Sequence, residues 1–277
     1  MSERKRIGAV FALFSLLACG SGGSSGSGAD EGGSPASSAP QEEGLLTRPG
    51  QSAALVTVGT YTAEGIATDA LDALFYEGPL DQGSGAQCEQ RAMGSCFAFA
   101  CTGPDGAPSS LAATAGMLEI TGGAKPIGVT PEDGEAYHYV TTNAWSATDP
   151  LSLSFSGGDV PAFTASNLLP PASLTLVQPV GSPKLTAGQA LMVQWTGTGG
   201  DQMWVAVSSA GFPARIDCLF SADSGSGTID GTLTSLLQEG AASFVACSIS
   251  QKRMTTGKWD VTVRTQSSMS QLVLTVE

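Results

Sequence analysis

Histidine occurs once in the 277-residue chain, at His138. Any Ser-His-Asp or Cys-His mechanism would have to use that one imidazole, and chemistry needing two histidines is excluded. Tyr137 and Tyr139 flank it, Trp145 follows closely, and Glu132, Asp133 and Glu135 precede it. Tyr and Trp rings beside acidic side chains are the material of a sugar-stacking platform, so Tyr137, Tyr139 and Trp145 are the candidate ligand-binding residues. On a strand, alternate side chains take opposite faces, which points His138 away from both tyrosines. The competing expectation is structural: Tyr137 anchors a turn, Tyr139 packs on a sheet and His138 is exposed. Glu132, Asp133 and Glu135 fit no EF-hand or nonapeptide calcium pattern and read as a solvated turn. No catalytic residue, metal or cofactor is assigned.

The cysteines are Cys19, Cys88, Cys96, Cys101, Cys218 and Cys247. Cys218 and Cys247 fall on separate predicted strands and are expected to form a disulfide. Closing that loop of about 30 residues contributes roughly 3–4 kcal/mol in the chain-entropy model. Cys96 and Cys101 lie on opposite faces of a regular strand and cannot pair with each other. Cys88 therefore bonds one of them and leaves a spare thiol. Cys88 and Cys101 are taken as the pair, although spacing alone does not choose. Cys88, Cys96 and Cys101 with His138 could also make a zinc set, but C-x7-C-x4-C matches no common zinc module.

These residues sit behind an address. Arg4, Lys5 and Arg6 precede an apolar run from Ile7 to Ala18, too short to span a bilayer and of the length of a secretory signal. It ends in Leu16-Leu17-Ala18-Cys19-Gly20, which resembles the lipobox of bacterial lipoproteins. The resemblance implies cleavage before Cys19, lipidation of that cysteine and a membrane partner held through acyl chains. Gly20 rather than Asp after the cysteine implies, by analogy with enteric lipoprotein sorting, the outer membrane. Residues 20–43 contain seven glycines and seven serines, the composition of a flexible tether. Gly22-Gly23-Ser24-Ser25-Gly26 matches the G-x-S-x-G hydrolase elbow only formally, because no strand precedes it.

Beyond the tether, short apolar alternations are separated by Gly, Pro, Asp and Ser. Leu191, Val193 and Trp195 share one face of a run, as do Ile216, Cys218 and Phe220, and Trp259, Val261 and Val263. Period two over short runs predicts an all-β antiparallel sandwich architecture. Thr68 to Tyr76, with Leu71, Leu74 and Phe75, has helical spacing instead, and so has Leu233, Leu236 and Leu237 with Gly240 placed to stop the turn. Leu169-Pro170-Pro171-Ala172 divides the region into halves of sandwich size. The expected organisation is a signal peptide over 1–18, lipidated Cys19 and tether over 19–48, and β domains over 49–172 and 173–277.

Pro131-Glu132-Asp133-Gly134-Glu135-Ala136-Tyr137 resembles the Pro-Glu-Asp-x-x-x-Tyr stretch of immunoglobulin domains. That resemblance implies a tyrosine-corner role for Tyr137, while Tyr139 stands where those domains carry a cysteine. Ser182 to Trp195, and Gly257-Lys258-Trp259-Asp260-Val261-Thr262-Val263, are similar to segments of Ig-like domains in bacterial surface proteins. The layout as a whole resembles myxobacterial lipoproteins with Ig-like β-sandwich domains. It implies two Ig-like sandwiches and a place in the envelope, and no activity.

Charge narrows the partners. The chain carries 12 basic and 25 acidic side chains, net −13, which argues against a nucleic-acid groove. Residues 49–172 hold thirteen acids against Arg91 and Lys125, whereas residues 173–277 are nearly balanced. Such a surface suits solubility, or a basic partner. The expected function is a non-catalytic, lipid-anchored envelope protein acting in binding, adhesion or envelope structure, with an envelope protein or polysaccharide as partner. A glycan-binding module through Tyr137, Tyr139 and Trp145 is the alternative, and a hydrolase using His138 is the third.

Overall fold

The computed structural model describes residues 52–63, 66–77, 87–102, 111–131, 136–146, 148–197, 199–210, 214–267 and 270–277. The signal peptide, Cys19, the tether and the acidic loop at Glu132, Asp133 and Glu135 lie outside the described residues. The first half contributes β1 (Ser52–Ala63), β2 (Ile66–Glu77), β3 (Gln87–Met93), β4 (Cys96–Thr102), β5 (Leu111–Ala112), β6 (Leu118–Thr121), β7 (Ile127–Val129), β8 (Ala136–Thr141), β9 (Leu151–Phe155) and β10 (Phe163–Leu168). The second contributes β11 (Thr175–Gln178), β12 (Lys184–Leu185), β13 (Leu191–Thr196), β14 (Gln202–Ser209), β15 (Ala214–Ser221), β16 (Ser226–Ile229), the one-turn helix α1 (Gly231–Thr234), β17 (Gly240–Thr256), β18 (Trp259–Gln266) and β19 (Ser270–Val276). The fold is all-β, and the strands build two β-sandwiches.

In the first sandwich, β10-β9-β6-β7 faces a sheet that runs β18-β1-β2, with β8 and β5 paired to β2. Its core places Val56, Val58, Leu71, Phe75, Tyr137, Leu118, Ile120, Leu153 and Phe155 in one cluster. In the second, β11-β13-β16 faces β3-β4-β15-β14-β17, with β19 and β12 continuing along β17. Leu191, Val193 and Trp195 point into that core, as the alternation predicts, and so do Ile216, Cys218 and Phe220.

The division at Leu169-Pro170-Pro171-Ala172 does not separate the pairings. β17 is a 17-residue strand. Its Gly240–Ile249 portion pairs with β14 and β19, while Ile249–Thr256 pairs with β18 as a projecting hairpin. β1 then adds to β18 in parallel, with eight register pairs from Ser52↔Trp259 to Gly59↔Gln266. The third alternating triplet, Trp259, Val261 and Val263, consequently fills the first core, not the second. In return the β3–β4 hairpin leaves the first half, and β4 pairs with β15 from Cys96↔Cys218 to Ala100↔Ala214. Cys96 and Ala98 thereby join the second core. Each half is completed by a hairpin from the other. Gly59 shows how close the union is: a Cβ there would collide with Gln266.

The segment Thr68–Tyr76 is strand β2, not a helix. Leu71, Ala73 and Phe75 are buried at 0%, 1% and 1% exposure, because β1 on one side and β8 on the other impose period two. The tertiary ladder overrides a composition of Ala and Leu that suits a helix equally well. Near Leu233 the helical expectation holds for one turn, with the Asp230 carboxylate accepting the Thr232 N–H at 2.7 Å. Gly240 then opens β17 at φ +116°.

Candidate functional site

Tyr137 and His138 lie on β8, whose register sets His138 opposite Asp72 and Tyr137 opposite Ala73. As expected from alternation, Tyr137 is buried and His138 exposed. His138 Nδ1 sits 2.7 Å from an Asp72 carboxylate oxygen, both side chains being roughly half exposed at 40% and 49%. That contact orients the imidazole as a base-orienting carboxylate would, on the outer face of the strand.

The aromatic residues do not form a surface platform. Tyr137 is 1% exposed and Trp145 is 8% exposed, both in the first core, and Tyr139 packs against that core half-buried. Tyr137 meets Phe75 edge-on at 5.8 Å and Phe155 at 5.6 Å. Its hydroxyl donates to the Gly116 carbonyl at 2.5 Å and accepts the Ala115 N–H at 2.9 Å. Burial pushes the phenol above its ordinary value, the Ala115 hydrogen bond opposes that, and the Asp159 carboxylate adds to it. The role resembles a tyrosine corner in chemistry but not in reach. The hydroxyl ties back 21 and 22 residues, to the segment before β6, where the immunoglobulin corner bonds a few residues upstream. Gly116, at φ +74°, makes this possible, since a Cβ there would strike the Gly157 carbonyl.

Trp145 is held by a residue that gave no sequence signal. Asp69 is 4% exposed. Its carboxylate accepts the Ala144 N–H at 2.6 Å, the Trp145 N–H at 3.4 Å and the Thr60 hydroxyl at 2.8 Å. One buried acid thus joins β1, β2 and the loop after β8. A buried carboxylate is tolerated when hydrogen bonds replace its water, as here.

The disulfide expectation is corrected. Cys218 bonds Cys96, 122 residues away in the chain, and Cys247 is a free, buried thiol. The reason is topological. β14 lies between β15 and β17, with Val205 opposite Cys218 and Trp204 opposite Cys247. Neighbouring β14 residues face opposite sides, so Cys218 points into the second core and Cys247 to the far face of the sheet. Burial pushes the Cys247 thiol up to about 12, against a smaller opposing pull from Arg264. The bond at Cys96 also removes it from the conceivable zinc set. Backbone register places Cys88 directly opposite Cys101; their side chains lie outside the described residues. Among the described residues no cluster of His, Cys, Asp and Glu is arranged to hold a metal ion.

The far face of the sheet carries a second group that sequence reasoning missed. Asp217 accepts two hydrogen bonds from Arg215, at 2.6 and 2.8 Å, and one from the Trp204 indole at 3.0 Å. The Arg215 and Arg264 guanidiniums lie 5.9 and 5.5 Å from the Trp204 ring centre. Arg215, Arg264 and Trp204 are all buried, beside Leu219, Val245, Cys247 and Ile249. Alternation marks Arg215 and Asp217 as facing away from the core, which reads as solvent. Only the finished sheet shows that this face is covered too. A buried bidentate Arg–carboxylate pair fixes geometry more than it adds stability.

No family model matches the chain, and no curated protein matches it. Solved structures it is similar to include the fibronectin(III)-like modules of Clostridium thermocellum CbhA, at 9% identity and TM-score 0.25, over 69% of this chain and 94% of that one. A two-domain fibronectin type III segment of chicken tenascin is 11% identical with TM-score 0.25, over 68% and 97% of the two chains. A bacterial ice-binding adhesin is 13% identical with TM-score 0.20, over 84% of this chain and 67% of that one. Likeness at this level carries no functional argument.

Proposed function

We propose that this chain is a lipid-anchored envelope protein that catalyses nothing and acts in binding, adhesion or envelope structure. The observation that carries the reading is the interlock. Two sandwiches complete each other's sheets through the β1–β18 and β4–β15 ladders, and a disulfide joins the halves. Such a body holds its shape as a display or load-bearing unit, and its disulfide suits an oxidising compartment outside the cytoplasm. The lipobox at Leu16-Leu17-Ala18-Cys19 and the Gly/Ser-rich stretch after it support an anchor and a tether, with the outer membrane as the proposed site. Envelope proteins and polysaccharides are the proposed partners. The burial of Tyr137 and Trp145 disfavours a glycan platform built on those rings.

Incorporation of a clickable palmitate analogue, read together with detergent phase partition, tests the anchor. The expected result is labelled chain in the detergent phase, with the Cys19→Ala variant unlabelled. Wild-type chain that is unlabelled and wholly aqueous would overturn the anchored reading.

A further inference from the structure

We propose that a second copy of this chain is a partner, acquired by exchanging halves through the same two ladders that close the monomer. The first half ends at Leu168 in β10 and the second begins at Thr175 in β11, so among the described residues the segment 169–174 is the only covalent link between them besides the Cys96–Cys218 disulfide. The other described links between the halves are noncovalent: edge-strand pairing, core completion, and side-chain hydrogen bonds from Arg91 to the Thr232 carbonyl and from Lys252 to the Ser166 carbonyl. β1 needs β18, and the first core needs Trp259, Val261 and Val263. β15 receives β4, and the second core takes in Cys96 and Ala98. None of these contacts requires both partners to come from one chain. In a symmetric exchanged dimer each ladder and the Cys96–Cys218 disulfide form twice, between chains. Residues 169–174 change conformation, which means re-seating Leu174 in the second core and the Leu169 carbonyl against the Thr265 hydroxyl.

Chain order favours the encounter. Ser52 pairs with Trp259, 207 positions further on, so the first half is made with the β1 edge open and its core unfilled until nearly the last strand exists. Pairing at that separation is slow to close within one chain. An open edge beside an unfilled apolar core is a template for a neighbour's hairpin. The link itself carries Pro170 and Pro171, which fix φ and favour an extended path over a folded-back one.

The disulfide makes the exchange visible. Two full-length variants, Cys96→Ser and Cys218→Ser, are exported together with different tags. Neither chain can form the bond within itself, whereas in an exchanged dimer Cys96 of one copy meets Cys218 of the other. The expected result is a reductant-sensitive species carrying both tags at twice the chain mass, absent when either variant is made alone. Folded variants that stay monomeric when made together overturn the proposal. Should either variant fail to fold, an equal mixture of ¹⁴N and ¹⁵N wild-type chains is refolded over a graded series of concentrations. Mixed-isotope Cys96–Cys218 peptides that increase with concentration support exchange, and same-isotope peptides alone at every concentration overturn it.

Discussion

Replacing Trp259 by alanine removes a side chain that belongs to the second half of the sequence and the core of the first sandwich. Trp259 is 1% exposed and meets Phe75 edge-on at 6.3 Å. Truncating a buried Trp or Phe to alanine costs about 3–5 kcal/mol, part transfer and part cavity, with an edge-to-face aromatic contact accounting for about 0.5–1.5 kcal/mol of such a loss. Against a total stability of roughly 5–15 kcal/mol, that is enough to open a sandwich that depends on it. Hydrogen exchange read by segment, with urea denaturation alongside, reports where the loss falls. Amides of residues 54–58, 71–75 and 151–155 are expected to lose protection in Trp259→Ala. Trp195→Ala is the counterpart in the second core, where that ring is 2% exposed and its indole donates to the Ala222 carbonyl at 2.8 Å. Full protection of residues 54–58 and 71–75 in Trp259→Ala would refute the shared core, and with it the interlock.

Tyr137→Phe leaves the buried Ala115 N–H without its acceptor and is expected to lower stability by about 1–3 kcal/mol in urea titration. Asp69→Ala strips the Ala144 and Trp145 N–H groups and the Thr60 hydroxyl of one shared acceptor; a loss of at least about 1–3 kcal/mol is expected, with a rise in Trp fluorescence change at low urea as the Trp145 loop loosens first. Stability is also expected to fall at alkaline pH. Burial pushes the Cys247 thiol up from its ordinary 9.0 to about 12 in the folded chain, so its contribution is intact below pH 9.0 and is lost as pH rises through the folded value. The raised phenol of Tyr137 acts in the same direction above its ordinary 10.0. Urea midpoints measured across that range should decline less steeply in Cys247→Ala than in the wild type.

What the sequence made legible follows from what alternation encodes. The period-two runs at Leu191–Trp195, Ile216–Phe220 and Trp259–Val263 identify buried faces correctly, because side-chain polarity records which face of a strand meets an apolar neighbour. It does not record which neighbour. The ladder from Ser52 to Gly59 is built of backbone groups common to every residue, so nothing in Trp259 announces that its core lies across the Pro-rich junction. The cysteine pairing failed for the same reason. Cys218 and Cys247 are on separate strands of one sheet, but β14 lies between those strands and the register sets the two cysteines opposite its neighbouring residues Val205 and Trp204, hence on opposite faces. Asp69 was invisible because two of its three partners are main-chain N–H groups of a loop far along the chain, the third being the Thr60 hydroxyl. The tyrosine motif was informative about burial and hydrogen bonding, and wrong only about how far the hydroxyl reaches.

The parallel union of β1 with β18 also decides how the body answers a pull from its N-terminal end. β1 is an interior strand, bonded to β18 on one side and to β2 on the other. Traction on Ser52 along the strand axis therefore slides β1 against both neighbours and strains many register pairs together, whereas traction across the axis would part them singly. Beyond β2, the Cys96–Cys218 bond is a stop: unravelling from the N-terminus reaches Cys96 and can pay out no chain from there to Cys218. The second sandwich stays threaded to the first at that point, like a bead held by a knot.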